Sequence, residues 1–446
     1  MHFLCTNYRM PGMSNIDLTK RAEEILNRVP FFTKVNIFLK ASGPGVVTGA
    51  ADDDPSGIAT YTVAGAQYGH SFLWAALLTW PMMASVQMAC AHLAMMSGEG
   101  LASALAKKFP RWVMILICIS LFLANTLNVG ADLSAMADCA ELLTGWSSHF
   151  FVLLFGAAIS YATIRLRYAK IASVLKWLAL SLFAYVATAI IAKPDWTEVL
   201  KATFIPEWPH GPGYMETLVA ILGTTISPYL FFWQASQEVE EKKAHGQKSL
   251  VRRRGATHVQ ILERKLDVRI GTLFSNVVMF FIILSASLTL HAHGQTDIAT
   301  TAQAAAALAP LAGKSASILY TIGLLGVGLL AIPTLMGSAA YACAETFRWR
   351  QGLDMTFVKA RAFYAIIVLS AIFGMLFDLL NLNPIRVLYY SAVLNGLLAP
   401  FLLWGILQVI RDPKIMYGQT APKTRQAIVF VTMLFMFAAA IAMCFT

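Results

Sequence analysis

Long apolar segments separated by short polar stretches run through the whole chain. A helix needs roughly 20 apolar residues to cross a hydrocarbon core of about 30 Å, and eleven segments reach or approach that length. Their predicted limits are 42–65, 70–96, 113–137, 149–165, 171–192, 214–237, 270–291, 315–345, 362–380, 385–410 and 425–445. The pattern predicts an all-α polytopic membrane protein with about 11 transmembrane helices.

Two of these predicted helices are interrupted by polar residues and a proline. The first contains Gly49-Ala50-Ala51-Asp52-Asp53-Asp54-Pro55-Ser56-Gly57, and the sixth contains Leu222-Gly223-Thr224-Thr225-Ile226-Ser227-Pro228-Tyr229. Proline removes a backbone donor, and carboxylates at bilayer depth are costly, so unwound backbone persists there only where it lines a cavity. Interruptions in the first and sixth helices predict a five-plus-five inverted repeat whose two breaks meet near the midplane.

An ordinary proline kink, with the acids at the membrane edge, is the alternative for each break taken alone. About ten Gly-, Val- and Ala-rich residues precede the acids and an apolar stretch follows them, as in a helix broken at mid-membrane. Asp54, directly before the proline, is the acid that we expect to line the cavity at the break. Asp52 or Asp53 could instead face water or pair with a cation elsewhere.

The basic residues predict the orientation. All but four of the 34 Lys and Arg fall in the N-terminal tail and in alternate loops, and the exceptions are Lys193, Lys201, Lys314 and Arg386. Because Lys and Arg concentrate in cytoplasmic loops, we expect a cytoplasmic N-terminus and an external C-terminus. The net charge of +10 is then a topology signal, and no nucleic-acid partner is expected.

Composition agrees with a membrane protein, since 57% of the residues are hydrophobic and 13% are charged, against about 25% charged in soluble domains. Short loops and the lack of a cleavable signal peptide indicate a prokaryotic inner (plasma) membrane. We expect a monomer whose partners are the bilayer and its cargo. The predicted units are a cytoplasmic segment at 1–40 with an amphipathic helix near Ile16 to Val29, five-helix repeats at 41–192 and 214–410, and an eleventh helix at 425–445.

The two breaks resemble those of the NRAMP family of divalent-metal transporters, which has a LeuT-like fold. The family carries Asp-Pro-Gly-Asn in its first helix and Met-Pro-His in its sixth, where this chain has Asp54-Pro55-Ser56-Gly57 and Ser227-Pro228-Tyr229. Supporting stretches are Gly43-Pro44-Gly45, Gly323-Leu324-Leu325, Asn383-Pro384 and Pro400-Phe401. The resemblance spans essentially the whole chain. It implies a secondary transporter that imports divalent metal ions by alternating access.

The departures from the family pattern resemble the NRAMP-related magnesium transporters. Gly57 replaces the family's Asn, Ser227 its Met and Tyr229 its His, while a Gln of the tenth helix falls at Ala392. A thioether favours transition metals over Mg²⁺, and Mg²⁺ is usually held by one or two carboxylates with several waters retained. The resemblance therefore implies Mg²⁺ as cargo, with Mn²⁺ also accepted.

The expected metal site has one carboxylate and several neutral oxygens. Its ligands are a carboxylate, a hydroxyl and backbone oxygens carried over from the family's site, supplied by Asp54, Ser227, Ala51, Gly57 and Thr224. Three further residues are expected to gate the site or to support its ligands, namely Asp53, Tyr229 and Ser56. No cofactor is expected besides the transported ion.

Proton coupling is not expected, because a tyrosine with a pKa near 10 cannot exchange protons at neutral pH in place of the family's histidine. In the third helix Asn128 lies near the position of a family carboxylate, and Asp132, one turn away, keeps coupling open. Voltage alone supplies enough energy. A divalent ion gains about 4.6 kcal/mol from about 100 mV, which supports roughly thousandfold accumulation.

Four other functions compete with this hypothesis. The first alternative is a proton-coupled Mn²⁺ or Fe²⁺ carrier of the mainstream NRAMP type. A sodium or amino-acid symporter on the same fold is disfavoured, because the acidic cluster would repel a substrate carboxylate. The chain has no His-Glu-x-x-His and no Gly-x-Ser-x-Gly motif, so we do not expect an enzyme. A channel would be distinguished from a carrier by fast transport that does not saturate.

Overall fold

The computed structural model describes residues 48–49, 51–165, 179–207, 213–298, 300–378, 380 and 382–445 of the 446-residue chain. The expected segment 1–40 with its amphipathic helix, the Gly43-Pro44-Gly45 stretch and most of the first half of the predicted fifth span lie outside these residues. The described part of the chain is helical and contains no strand.

Seventeen α-helices follow one another along the described residues. In chain order they are α1 Pro55–Tyr68, α2 Leu73–Ser97, α3 Leu101–Leu105, α4 Arg111–Thr144, α5 Ser148–Arg165, α6 Phe183–Ile191, α7 Trp196–Phe204, α8 Tyr214–Thr225, α9 Pro228–Ala244, α10 Leu250–Arg253, α11 His258–Thr289, α12 Thr301–Ala305, α13 Ala309–Ala312, α14 Ala316–Thr346, α15 Arg361–Asp378, α16 Pro384–Ile410 and α17 Lys423–Met443.

Within these residues, nine helical stretches are long and apolar enough to cross a membrane. One of them, Pro55–Ser97, covers the second half of the first predicted span and all of the second, because a 3₁₀ turn at Gly69–Phe72 joins α1 directly to α2. The predicted fifth span is described only from residue 179, where a 3₁₀ turn leads into α6. The nine stretches thus overlap ten of the eleven predicted spans.

The helix that contains the seventh predicted span starts before the predicted limit at residue 270. The helix α11 begins twelve residues earlier at His258, where Thr257 and Gln260 form a capping box. Reciprocal capping satisfies backbone N–H groups that the first turn leaves free, and so fixes the helix start. The twelve added residues include charged side chains, so the apolar pattern does not extend to them.

Both predicted breaks are present. Residues 48–49 and 51–52 are helical, the backbone leaves the helix at 53–54, and α1 begins at Pro55. The sixth span divides into α8 and α9 at Ile226 and Ser227, whose backbone is not helical. Each second half-helix begins with proline at its first position, where the missing N–H would have no partner in the helix.

The broken helices lie at the centre of the bundle. In the most apolar stretch of α8 and α9, 89% of the residues are buried, compared with 28% in α17. A Cβ atom on Gly223 of α8 would lie 1.9 Å from the carbonyl oxygen of Ala392 and 2.4 Å from the backbone nitrogen of Gly396, both on α16. The backbones of α8 and α16 therefore touch, and only glycine fits there.

We call the end of the bundle that carries loops 106–110, 245–257, 347–360 and 411–422 the basic end, and the opposite end the vestibule end. At the basic end the Lys242 ammonium group donates to the carbonyl oxygens of Met95, Arg253 and Gly255 at 2.6, 2.6 and 2.8 Å. It thereby fastens α9 to α2 and to the loop before α11.

A second cluster at the basic end joins α9 to α11. The guanidinium group of Arg264 contacts Glu238 at 2.6 Å, Asp267 at 2.6 Å and also Glu241. Gln234 donates to Glu238 at 2.9 Å. All three carboxylates therefore depend on a single arginine, which is itself largely buried.

Candidate metal site

The Asp54 carboxylate caps the second half of the first broken helix. Its backbone is extended, and its Oδ1 accepts a hydrogen bond from the backbone N–H of Gly57 at 2.8 Å. Capping by an aspartate is favourable because helix N-termini carry partial positive charge. The cap fixes the direction of the carboxylate and leaves its second oxygen facing the neighbouring helices.

That second oxygen contacts α4 and α9, which belong to the third and sixth predicted spans. Asp54 Oδ2 accepts from the phenol of Tyr229 on α9 and from the amide Nδ2 of Asn128 on α4, both at 3.2 Å. Asp54 is 3% exposed. None of the ion pairs among the described residues includes it. A buried carboxylate without a cationic partner is costly, so a bound cation would stabilise this arrangement.

The unwound segment before Asp54 supplies a backbone oxygen to the same place. The Tyr229 hydroxyl lies 3.0 Å from the carbonyl oxygen of Ala51 as well as 3.2 Å from Asp54. A phenol has one hydrogen to donate, so only one of these two acceptors can hold it at a time. Tyr229, predicted to gate or support the site, lies between the two predicted ligands.

Thr224, at the end of α8, contacts α1. Its hydroxyl lies 3.3 Å from the hydroxyl of Tyr61, and it would lie 3.1 Å from a Cβ placed on Gly57. Gly57 thus allows the two broken helices to approach each other closely. The structure brings Asp54, Gly57, Ala51, Thr224 and Tyr229 together, five of the residues named in the sequence analysis.

Ser227 and Ser56 turn towards other partners. The Ser227 hydroxyl lies 2.7 Å from the carbonyl oxygens of both Gly223 and Thr224, so its hydrogen satisfies the end of α8 and only its lone pairs remain for an ion. Ser56 donates to the carbonyl oxygen of Leu388 on α16 at 3.3 Å, which anchors the first break to the tenth helix.

The Asp53 side chain faces α11, the helix of the seventh span, and does not face the Asp54 carboxylate. The Ser275 hydroxyl on α11 lies 3.0 Å from Asp53 Oδ1 and 2.5 Å from Asp52 Oδ2. Both acids are fully buried, and Asp52 Oδ1 and Asp53 Oδ2 have no hydrogen-bond partner in the described structure. One hydroxyl hydrogen serves two carboxylates, so this pair requires a further positive charge.

Sequence reasoning missed Ser391 and did not assign Asn128 to the site. Ser391 on α16 lies 2.6 Å from Asn128 Oδ1 and 2.7 Å from the carbonyl oxygen of Leu388, so it holds the amide against Asp54. Asp132, one turn beyond Asn128, is fully buried, and neither of its carboxylate oxygens has a hydrogen-bond partner in the described structure. Ser391, Asn128 and Asp132 are each polar residues within an apolar span, and that pattern was the only sign of them in the sequence.

A cavity of about 290 Å³ opens at the vestibule end. Its lining includes Gln67, Tyr68, Glu216, Asp297, Arg386 and Tyr389. Val63, which also lines it, lies nine residues after Asp54, or about 13 Å along a helix. The Tyr61–Thr224 contact comes from the segments between the cavity and Asp54, so the carboxylate is closed off from the vestibule.

These features suit a single hard cation held mainly by oxygen. No group of three or more His, Cys, Asp or Glu side chains arranged to hold a metal occurs in the described ranges. A metal ion here would therefore rely on one carboxylate together with hydroxyl, amide and carbonyl oxygens, and on its own water. Such ligands match Mg²⁺ and Mn²⁺ better than softer metals.

The chain is similar to known metal transporters over most of its length. A divalent metal cation transporter MntH from Deinococcus radiodurans is 25% identical over 376 residues, which cover 82% of this chain and 80% of the relative. The Eremococcus coleocola manganese transporter superposes with a TM-score of 0.72 at 17% identity, covering 92% of this chain and 87% of that one. The inward-facing conformation of Mhp1 gives 0.55 at 15% identity, covering 91% of each chain.

Both structural neighbours confirm the predicted all-helical, LeuT-like fold. The breaks in its first and sixth spans are seen in the structure of this chain. The family model described as natural resistance-associated macrophage protein-like matches residues 45–446. This integral membrane protein belongs to the Nramp family.

Proposed function

We propose that this protein carries divalent metal ions across the membrane as a secondary transporter working by alternating access. The observation that carries the proposal is the buried Asp54 carboxylate, which lies where the two broken helices meet and has no cationic partner in the described structure. Family membership and relatives named as divalent metal cation transporters support it. A carrier, unlike an enzyme, needs only this reversible binding and a change of access.

The proposed ligands are those that the structure brings to Asp54. The carboxylate supplies the negative charge. The carbonyl oxygen of Ala51 and the oxygens of Thr224 and Ser227 add neutral ligands. Gly57 gives the space for Thr224 to approach. Asn128 presents its Nδ2 to Asp54, and a half-turn of its amide would present Oδ1 to an ion instead. Asn128 then takes over the amide oxygen that Gly57 lacks.

The comparisons support manganese better than the magnesium predicted from sequence. The solved structure with the higher TM-score is that of a manganese transporter, so Mn²⁺ transport, the alternative in the sequence analysis, is our first proposal for the cargo. Magnesium is the second candidate. One observation favours magnesium. Serine and tyrosine flank Pro228, and the site contacts described above involve only oxygen and nitrogen atoms, with no sulfur.

Proton coupling also gains support from the structure. Asp132 and the Asp52–Asp53 pair are buried carboxylates whose charge is not balanced by a basic side chain among the described residues. Such groups need a proton or an ion to be stable in a low-dielectric interior. Tyr229 in place of the family's histidine remains the argument for voltage-driven, uncoupled uptake.

The test is uptake of Mn²⁺ and Mg²⁺ into proteoliposomes with a lumenal pH dye. Asp54→Ala removes the only carboxylate at the proposed site, and Asp195→Ala, an exposed acid that caps α7, is the matched control. We expect saturable Mn²⁺ uptake that Asp54→Ala abolishes and Asp195→Ala leaves intact. Mn²⁺ entry with acidification identifies a coupled manganese carrier, and Mg²⁺ entry without acidification identifies an uncoupled magnesium carrier. Uptake equal in Asp54→Ala and the native chain would refute the proposal, and uptake that never saturates would indicate a channel.

A further inference from the structure

Three basic side chains lie close together at the basic end. Lys265 and Arg269 are one turn apart on α11, and Arg425 lies in the first turn of α17. Lys265 interacts electrostatically with both arginines, and Arg425 interacts with Arg269. Like charges repel one another, and an anion bound between them would offset that repulsion.

The described part of the chain provides no such anion. Its ion pairs use other cations, namely Lys107, Lys108, Lys243, Arg264, Arg386, His70 and His149. The helix α2, which contacts both α11 and α17, carries no acidic residue between Leu73 and Ser97. The three cations therefore share an uncompensated positive charge on the surface of the bundle.

A buried histidine holds Arg425 in place without neutralising it. His92 on α2 lies 3.1 Å from the carbonyl oxygen of Gln419 through Nε2, and 2.9 Å from Nη1 of Arg425 through Nδ1. Because a carbonyl can only accept, Nε2 carries the hydrogen and Nδ1 accepts from the guanidinium. The neutral ring thus fixes the arginine and leaves its positive charge available.

Exposed apolar side chains continue from the cations towards the middle of the bundle. On α11 and α17, which both begin at the basic end, they are between 37% and 56% exposed and comprise Ile270, Leu273, Ile428 and Val431. Trp80 of α2 contacts α11 at the start of this face, with its indole nitrogen 3.5 Å from the carbonyl oxygen of Arg269. A cationic patch above an apolar face matches a lipid headgroup above its acyl chains.

The depth of the patch agrees with this match. Arg269 lies six residues, or about 9 Å of helix, before Ser275, which contacts the first break. The break is expected near the bilayer midplane, so Arg269 would start within the hydrocarbon core. Its long side chain can reach the headgroup region by extending towards the basic end.

We propose that Lys265, Arg269 and Arg425 bind the phosphate of an anionic phospholipid. The acyl chains lie along Ile270, Leu273, Ile428 and Val431. Basic clusters at a membrane surface attract anionic lipids because each Lys or Arg adds to the binding energy. The site is separate from Asp54 and does not depend on the identity of the transported ion.

Native mass spectrometry of the purified full chain, titrated with cardiolipin or with phosphatidylcholine, tests the proposal. The variant combines Lys265→Gln, Arg269→Gln and Arg425→Gln. Its control removes the same charge elsewhere at the basic end through Arg348→Gln, Arg350→Gln and Lys359→Gln. We expect cardiolipin affinity to fall roughly a hundredfold in the variant, equivalent to about 3 kcal/mol, and to stay nearly unchanged in the control.

Equal losses in variant and control would mean a diffuse charge effect and would overturn the proposal. A wild type that binds cardiolipin and phosphatidylcholine equally would do the same, without depending on any variant's folding. Arg269→Lys with Arg425→Lys keeps the charge and should retain most of the affinity.

The N-terminal acids Asp17, Glu23 and Glu24, outside the described residues, are the rival occupant. If the wild type binds no cardiolipin but Asp17→Asn/Glu23→Gln/Glu24→Gln does, that segment fills the patch and the proposal is wrong.

Discussion

At the scale of single residues, the Asp54 carboxylate lies within hydrogen-bonding distance of three different elements. Gly57 donates from α1 and Asn128 from α4, while Tyr229 on α9 has one hydrogen for either Asp54 or the carbonyl oxygen of Ala51. Hydrogen bonds to a charged group each contribute about 1.5–3 kcal/mol. The carboxylate is therefore held in one orientation without an ion, which would lower the cost of ordering the proposed site on binding.

Replacing Asn128 with alanine should weaken metal binding. The change removes the amide that contacts Asp54 and, after rotation, would contact the ion. We expect the Mn²⁺ concentration for half-maximal uptake to rise about tenfold, the effect of about 1.4 kcal/mol. Asn125→Ala is the matched control, because Asn125 is also a buried amide on α4 but bonds to Leu335 and Ser338 of α14. An unchanged half-maximal concentration for Asn128→Ala would exclude Asn128 from the site.

At the scale of helices, the two breaks were predictable while the directions of their side chains were not. Acid or serine directly before proline, inside an apolar run, was enough to locate both interruptions. The sequence could not show that Asp53 turns to Ser275, because that depends on how α11 packs against α1. The early start of α11 at His258 was not predicted for a related reason. The first turns of α11 are stabilised by ion pairs of Arg264, which depend on packing, and not by lipid contact.

Replacing Gly223 with alanine should separate α8 from α16. The new Cβ would meet backbone atoms of Ala392 and Gly396, which cannot move without shifting a helix. We expect uptake to fall more than tenfold and thermal stability to decrease, the order of loss that about 1–3 kcal/mol of overpacking produces. Gly323→Ala is the control, because its nearest neighbour is the movable side chain of Ser181. Normal uptake and stability in Gly223→Ala would mean that the two helices are not packed as described.

Removing Arg264 should destabilise the basic end. Arg264→Gln leaves Glu238, Glu241 and Asp267 without their shared cation, and breaking a buried ion pair costs about 3–5 kcal/mol. Thermal unfolding in detergent, followed with a dye that reacts with exposed thiols, should show a clear drop in midpoint. Adding Glu238→Gln should recover part of the loss, and Arg252→Gln on α10 should have little effect. A midpoint like that of the native chain would show that the cluster is not needed for stability.

At the scale of the whole molecule, the vestibule and the basic end should face opposite sides of the membrane. In a chain with Cys5→Ser and Cys444→Ser, we expect Asp297→Cys to react with an impermeant maleimide added outside intact cells. Lys248→Cys should react only after the cells are opened. Both positions are exposed, so access alone separates them. The reverse pattern would show that the orientation predicted from Lys and Arg is wrong.

The two halves of the sixth helix are fastened to different neighbours. Gly223 packs α8 onto the tenth helix, while Lys242 ties α9 to α2 and the following loop. Only Ile226 and Ser227, neither in helical conformation, join the halves. Rotation about a few bonds there would let each half travel with its own partner and leave both contacts intact. The break beside the proposed metal site would then also act as a mechanical hinge, so that ion binding and the direction of opening would depend on the same few residues.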